Sequence, residues 1–123
     1  MKNHPEFQLQ KSICKWLDIQ HKDILYLSDT VASVKLTIPQ QQRNKSIQKQ
    51  GFKCPDLLIL QPNNKYHGLF IELKVSNPYK KDGSLKKDEH LEGQQKTIND
   101  LNNKGYFALF CWDFEMTINT IND

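Results

Sequence analysis

Apolar side chains recur along this chain in several distinct patterns, and each pattern predicts an element. From about residue 5 to residue 20, Leu9, Ile13, Trp16 and Leu17 follow the i, i+4, i+7, i+8 spacing of one helical face. Pro5 suits the first turn of that helix, where its missing N–H leaves no bond unmade. Glu6 and Gln10 lie along the same stripe, so the helix carries a carboxylate on the side expected to face the core. The run from Ile24 to Leu36 is rich in Ile, Leu, Val and Tyr but broken by Ser28-Asp29-Thr30, which reads as two short strands or one bent strand. The polar, basic stretch beginning at Thr37 reads as a short helix after Pro39 that stops near Gly51.

The middle of the chain is patterned more sharply. LLIL (Leu57 to Leu60) and LFIELKV (Leu69 to Val75) are apolar runs separated by QPNNKYHG, a segment full of turn formers. This is a β-hairpin pattern. In the second run Leu69, Ile71, Leu73 and Val75 share one face, and Phe70, Glu72 and Lys74 share the other. After the polar loop SNPYKKDGSLKKDE, Leu91, Ile98 and Leu101 mark a helix over 90–104, with Gly105 as its C-terminal stop. Tyr106 to Trp112 reads as an apolar strand, and the closing segment as a short helix capped by Asp113. The order predicts an α/β fold, a mixed sheet flanked by helices, with a parallel crossover from the LFIELKV strand to the last strand.

Composition narrows the class without deciding it. One domain spanning 1–123 is expected at this length. No apolar run approaches the ~20 residues of a membrane span, and MKNHPEFQLQ lacks the apolar stretch of a secretory signal, so an intracellular, cytoplasmic protein is the expectation. The three cysteines are scattered, away from zinc-type spacing, and read as small hydrophobes. A formal net charge of +3 suits contact with a polyanion without requiring one.

Candidate chemistry sits on the hairpin. With a turn centred on Asn64, residue 56 faces residue 72, and directly opposed residues have Cβ atoms about 4.5–5.5 Å apart. Asp56 and Glu72 are then neighbours, with Lys74 one step along the same side. Two crowded carboxylates need a cation to ionise together. Lys74 offsets part of the charge, and a divalent ion held by carboxylate and carbonyl oxygens would offset the rest. Such an ion activates water and stabilises charge on a phosphate, and Lys74 could orient or deprotonate that water. The plain alternative is a solvated salt bridge on a strand face; strands this apolar weigh against it, because an unpaired buried acid is costly.

Four motifs in order resemble the VRR-NUC domain of the PD-(D/E)XK nuclease superfamily, in the small stand-alone form found in phages. They are Glu6 in EFQLQKSICKWL, Pro55-Asp56 in CPDLLIL, Glu72-x-Lys74 in LFIELKV, and Gln94 in QQKTINDLNNKGY. Leu101 follows Gln94 by seven residues and Gly105-Tyr106 by eleven and twelve; this spacing favours Gln94 over Gln95. The resemblance implies a restriction-endonuclease-like fold and a metal-dependent DNA nuclease, structure-selective toward branched, junction or flap DNA, working as a homodimer related to Holliday-junction resolvases. It implies that Asp56, Glu72 and the Leu73 backbone carbonyl hold Mg²⁺ or Mn²⁺, with Glu6 supporting the metal, Lys74 acting on water, and Gln94 positioning water or phosphate. The chain departs from the family's pattern just before the Pro-Asp pair, where Lys53 and Cys54 stand and Gly51 is the nearest glycine.

Two basic stretches are candidate DNA contacts: Arg43, Lys45, Lys49 and Lys53 before the hairpin, and Lys80, Lys81, Lys86 and Lys87 after it. Phosphate contacts of this kind give affinity without sequence choice; a solvated lysine-rich loop is the alternative. His90 precedes the glutamine helix and could approach the site, although a capping or surface role is expected. Trp16, Tyr106, Phe107, Phe110 and Trp112 are expected in the core. A non-cleaving nucleic-acid-binding or accessory protein of the same fold, or a domain acting only within a larger assembly, remains open to the same residues.

Overall fold

A computed structural model describes residues 5–28 and 36–123; residues 29–35, and with them much of the Ile24–Leu36 run, lie outside the described residues. The elements run α1 (Pro5–Gln20), β1 (Tyr26–Ser28), α2 (Ile38–Ile47), β2 (Leu57–Ile59), β3 (Leu69–Leu73), α3 (Glu89–Asn103), β4 (Phe107–Cys111) and α4 (Phe114–Asn122). The strands form one sheet in the order β1-β2-β3-β4. β1 and β2 pair antiparallel, as do β2 and β3, whereas β4 joins β3 in parallel after the α3 crossover. This is the mixed α/β sheet that the patterning predicts.

The β2–β3 register is Leu57↔Ile71, Leu58↔Phe70 and Ile59↔Leu69, which places the turn's centre at residue 64 as the spacing requires. The strands are shorter than the apolar runs. Leu60 and Val75, expected inside strands, are 54% and 55% exposed. Local side-chain bonding ends both strands. Asn63 Oδ1 accepts from the Lys65 and Tyr66 N–H groups, and Asn77 Oδ1 from the Tyr79 N–H, so each chain direction turns within a few residues of a proline.

Helix ends follow their capping residues. Thr37 and Gln40 form a reciprocal capping box at the start of α2. Asp88 caps α3 by accepting from the His90 and Leu91 N–H groups, and Asp113 caps α4 by accepting from Met116 N–H. Gly105 has φ +95°, the left-handed conformation that ends a helix readily only at glycine. α2 stops at Ile47, short of Gly51, and buries none of its residues.

Helices pack on both faces of the sheet. Leu57, Ile59, Ile71, Leu73 and Cys111 pack with Ile13 and Leu17 of α1, and with Met116, Ile118 and Ile121 of α4. Ala108 and Phe110 pack on the other face with Ile98 and Leu101 of α3. Asn102 closes the outer edge of β4, its side-chain amide both donating to the Ala108 carbonyl and accepting from the Ala108 N–H. The segment read as a polar loop after β3 is tied down: Tyr79 and Leu85 pair across it and pack beside Phe110 and Trp112. No described helix is long and apolar enough to cross a membrane.

Candidate metal centre

The register that buries Leu57 and Ile71 also brings Asp56, one residue before β2, alongside Glu72. Fully buried Pro55 fixes the approach of the chain to that point. Asp56 Oδ2 accepts a 2.9 Å hydrogen bond from the Leu73 N–H, so a strand backbone holds the carboxylate in place. Gln10 of α1 donates to the Asp56 backbone carbonyl (3.3 Å) and to Ser28 Oγ (2.6 Å), tying the first helix to the same corner. One carboxylate oxygen each from Glu6, Asp56 and Glu72 all lie within 4.8 Å of one another.

Exposure within this trio is graded. Glu72 is 6% exposed, Asp56 half-buried, and Glu6 exposed. The expectation that Glu6 faces the core is therefore corrected: it stands in the first turn of α1, beyond the packed part of that helix, and reaches the other two carboxylates from the solvent side. Gln10, expected beside it on the buried stripe, is half-buried.

The electrostatics follow from this crowding. Burial, above all, and then the charge of Asp56 push the Glu72 carboxyl up from 4.5 to about 8. Asp56 is also raised, chiefly by burial; its bond from the Leu73 N–H opposes this, and the Glu6 charge adds to it. Lys74, half-buried one residue past β3, pulls both carboxyls back down. Three carboxylates and one ammonium leave negative charge that these residues do not balance.

Gln94 completes the buried wall. Its side chain is 7% exposed, and Nε2 donates to Glu72 Oε1 at 2.6 Å. The amide oxygen Oε1 has no hydrogen-bond partner. A buried polar atom left unpaired is expensive, and its natural remedy is a water or ligand donor in the same space. His90 is exposed, as a surface role requires, and its Nε2 also lies 3.2 Å from Gln94 Nε2; the capping is done by Asp88. Gln95 points elsewhere, accepting from the Tyr79 hydroxyl and donating to Asn99.

All eight candidate DNA-contact residues are exposed. Arg43 and Lys45 lie on α2, Lys49 and Lys53 in the connection to β2, and Lys80, Lys81, Lys86 and Lys87 between β3 and α3. Lys53 is the one held against the glutamine helix. Its N–H donates to buried Thr97 Oγ1, and its stem crosses α3 at Gly93. The Leu73 N–H and Thr97 contributions were not legible in the sequence, because contacts between a side chain and a distant backbone carry no spacing signature; Gln10 was legible on the α1 stripe, but its partners Ser28 and Asp56 were not.

The donor set fits a hard divalent cation: three carboxylates converge, all ligand atoms are oxygen, and an orphaned amide oxygen stands beside them. No family model matches the sequence, and no curated protein matches it. Among solved structures, the chain is similar to one described as a "VRR_NUC domain protein", with a TM-score of 0.61 and 21% identity, covering 99% of this chain and 88% of that one. This chain has the fold of a VRR_NUC domain.

Proposed function

We propose that this chain is a metal-dependent nuclease that hydrolyses phosphodiester bonds in DNA, residues 1–123 acting as one nuclease domain. The observation that carries the reading is the convergence of Glu6, Asp56 and Glu72 beside the unpartnered Oε1 of buried Gln94. The fold shared with a VRR_NUC domain protein supports it. Asp56 and Glu72, with the Leu73 carbonyl, would hold Mg²⁺ or Mn²⁺, and Glu6 would support it from the exposed side. When bound, that ion supplies a Lewis acid for the phosphate and lowers the pKa of water.

The chain's own groups then divide the remaining work. Asp56 is held by the Leu73 N–H, so its free oxygen is preset toward the cluster. Gln94 Oε1 can accept from a water proton, fixing the direction of attack on phosphorus. The Lys74 ammonium, half-buried beside the carboxylates, can hold that water or neutralise a phosphate oxygen as the P–O bond breaks. Burial of Glu72 excludes bulk water from one side of the reacting centre.

For substrate, the same reading favours branched, junction or flap DNA. A homodimer would supply two sites to a roughly two-fold substrate. Its support is a strip of leucines on the β1–β2 part of the sheet, Leu25, Leu27 and Leu60, exposed 71%, 58% and 54%. These residues share one face, because Leu27 pairs with Leu58 and Tyr26 with Ile59.

The test is cleavage of flap, junction, nicked and linear DNA in Mg²⁺, Mn²⁺ or EDTA, with light scattering to give the mass in solution. Metal-dependent products from branched substrates are expected. Cutting that survives EDTA, or that is unchanged in Asp56→Ala, would refute the assignment.

A further inference from the structure

A cavity of about 310 Å³ opens along α3 beyond the carboxylate cluster. Its walls are the α2–β2 connection, with Lys49 and Phe52, and the outer side of α3, with Lys96, Asp100 and Lys104. Three lysines against one aspartate leave it positively charged. Lys96, Asp100 and Lys104 stand four residues apart, so they line up along one stripe of the helix. Phe52 is 39% exposed, an aromatic face left open among cations.

Lys53, next in sequence to the cavity's Phe52, crosses α3 one residue from Gln94 of the proposed active centre. A Cβ built on Gly93 would lie 2.8 Å from Lys53 Cε and 3.2 Å from Nζ, so the lysine stem passes through the space that the glycine leaves in α3. Gly93 adjoins Gln94, whose amide is bonded to Glu72. On the other side of Lys53 stands Phe52, and the bond from Lys53 N–H to Thr97 Oγ1 (3.2 Å) anchors the connection to the helix. From Gln94 to Lys104 the helix rises about 15 Å at 1.5 Å per residue. A basic track with one aromatic wall therefore leads away from the carboxylates.

We propose that this groove is a subsite for a single-stranded DNA arm adjoining the scissile phosphate. One unpaired base stacks on Phe52, and the arm's phosphates lie against Lys49, Lys96 and Lys104. Its volume is near the lower end of the ~300–1,000 Å³ of small-ligand pockets, so it admits one splayed nucleotide. Duplex phosphates lie on an outer surface and would leave the recess and its aromatic wall unused. Stacking on an aromatic side chain, with lysines on the backbone, is how sequence-tolerant single-strand sites are built. The proposal rests on the nuclease reading and specifies its substrate as DNA with an unpaired flank.

The test is binding by fluorescence anisotropy of the full chain in EDTA, comparing a duplex with an oligothymidylate arm against a blunt duplex of equal length. The armed duplex is expected to bind more tightly. Phe52→Ala should weaken armed binding by about ten-fold, the weight of one stacked base, and leave blunt binding unchanged. Phe52→Trp, which keeps the aromatic face, should retain the preference. The Lys96→Gln/Lys104→Gln double variant should flatten the salt dependence on armed DNA by a slope of about 1.4, for two single-strand phosphate contacts. Absence of an arm preference in the unmodified chain, or an equal loss on both DNAs in Phe52→Ala, would overturn the proposal. Cleavage assays separate the two ideas. A preference that depends on Phe52 without metal-dependent cutting leaves the groove and sinks the nuclease; metal-dependent cutting without the preference does the reverse.

Discussion

On the face of the sheet covered by α1 and α4, Ile13, Leu17, Leu57, Ile71, Leu73 and Cys111 are fully buried. On the face covered by α3, Glu72, Gln94 and Thr97 share the interior with Ile98, Leu101, Ala108 and Phe110. The first face has its own buried hydroxyl, Thr117, but it is satisfied locally by donating to the Asp113 carbonyl one turn back. On the α3 face the polar groups reach across elements, Gln94 to Glu72 and Thr97 to Lys53, and one oxygen finds no partner at all. An apolar interior stabilises a fold by removing surface from water; buried carboxyls and amides cost stability unless something answers their charge. The difference sets a face that holds the chain together against one that carries polar groups its own residues leave partly unanswered.

Substitutions should therefore separate the faces. The largest expected effect is on activity: Asp56→Ala or Lys74→Ala should reduce metal-dependent DNA cleavage to background while circular dichroism stays unchanged. Gln94→Leu, which removes only a supporting group, should cost about 10–100-fold. Stability should respond in the opposite pattern. Ile71→Ala should destabilise the chain by about 2–5 kcal/mol in urea, whereas Glu72→Gln on the neighbouring residue should leave metal-free stability equal or higher. A Glu72→Gln variant that unfolds as readily as Ile71→Ala would erase the contrast.

Acidity sharpens it further. The folded chain keeps the Glu72 proton up to about 8, whereas an unperturbed glutamate gives it up near 4.5. Over that window the folded state binds more protons than the unfolded one, so metal-free stability should fall as pH rises from about 4.5 toward 8. Divalent ion needs the ionised carboxylates, so its stabilising effect in thermal melts should grow over the same window. Glu72→Gln should flatten both trends. A smaller effect is expected away from either face: Gly105→Ala adds a Cβ 2.7 Å from the His67 ring at φ +95°, and should cost about 1 kcal/mol or more without changing metal binding.

Periodicity made α1 and α3 legible, and symmetry about the turn did the same for the hairpin. Leu9, Ile13 and Leu17 define α1, and the pairing of Leu57 with Ile71 follows from an eight-residue connection, rich in turn formers, between two apolar runs. Strand ends were less legible, because Leu60 and Val75 are apolar yet sit where Asn63 and Asn77 turn the chain. Glu6 shows a further limit: its place on the stripe was readable, but not that the packing on that stripe stops before the first turn. His90 was legible as a residue that could approach the site, and its place four residues before Gln94 on one helix face gives the reason. Tyr79 and Leu85, two apolar positions in a lysine-rich segment, were a similar sign that the segment folds back onto the sheet.

The most direct test is a crystal soaked in Mn²⁺ and measured at the manganese absorption edge. An anomalous peak between the Glu6, Asp56 and Glu72 carboxylates, lost in Asp56→Ala, is the expected result. Ordered density for all three carboxylates with no peak among them, at a Mn²⁺ concentration that supports cleavage, would contradict the account.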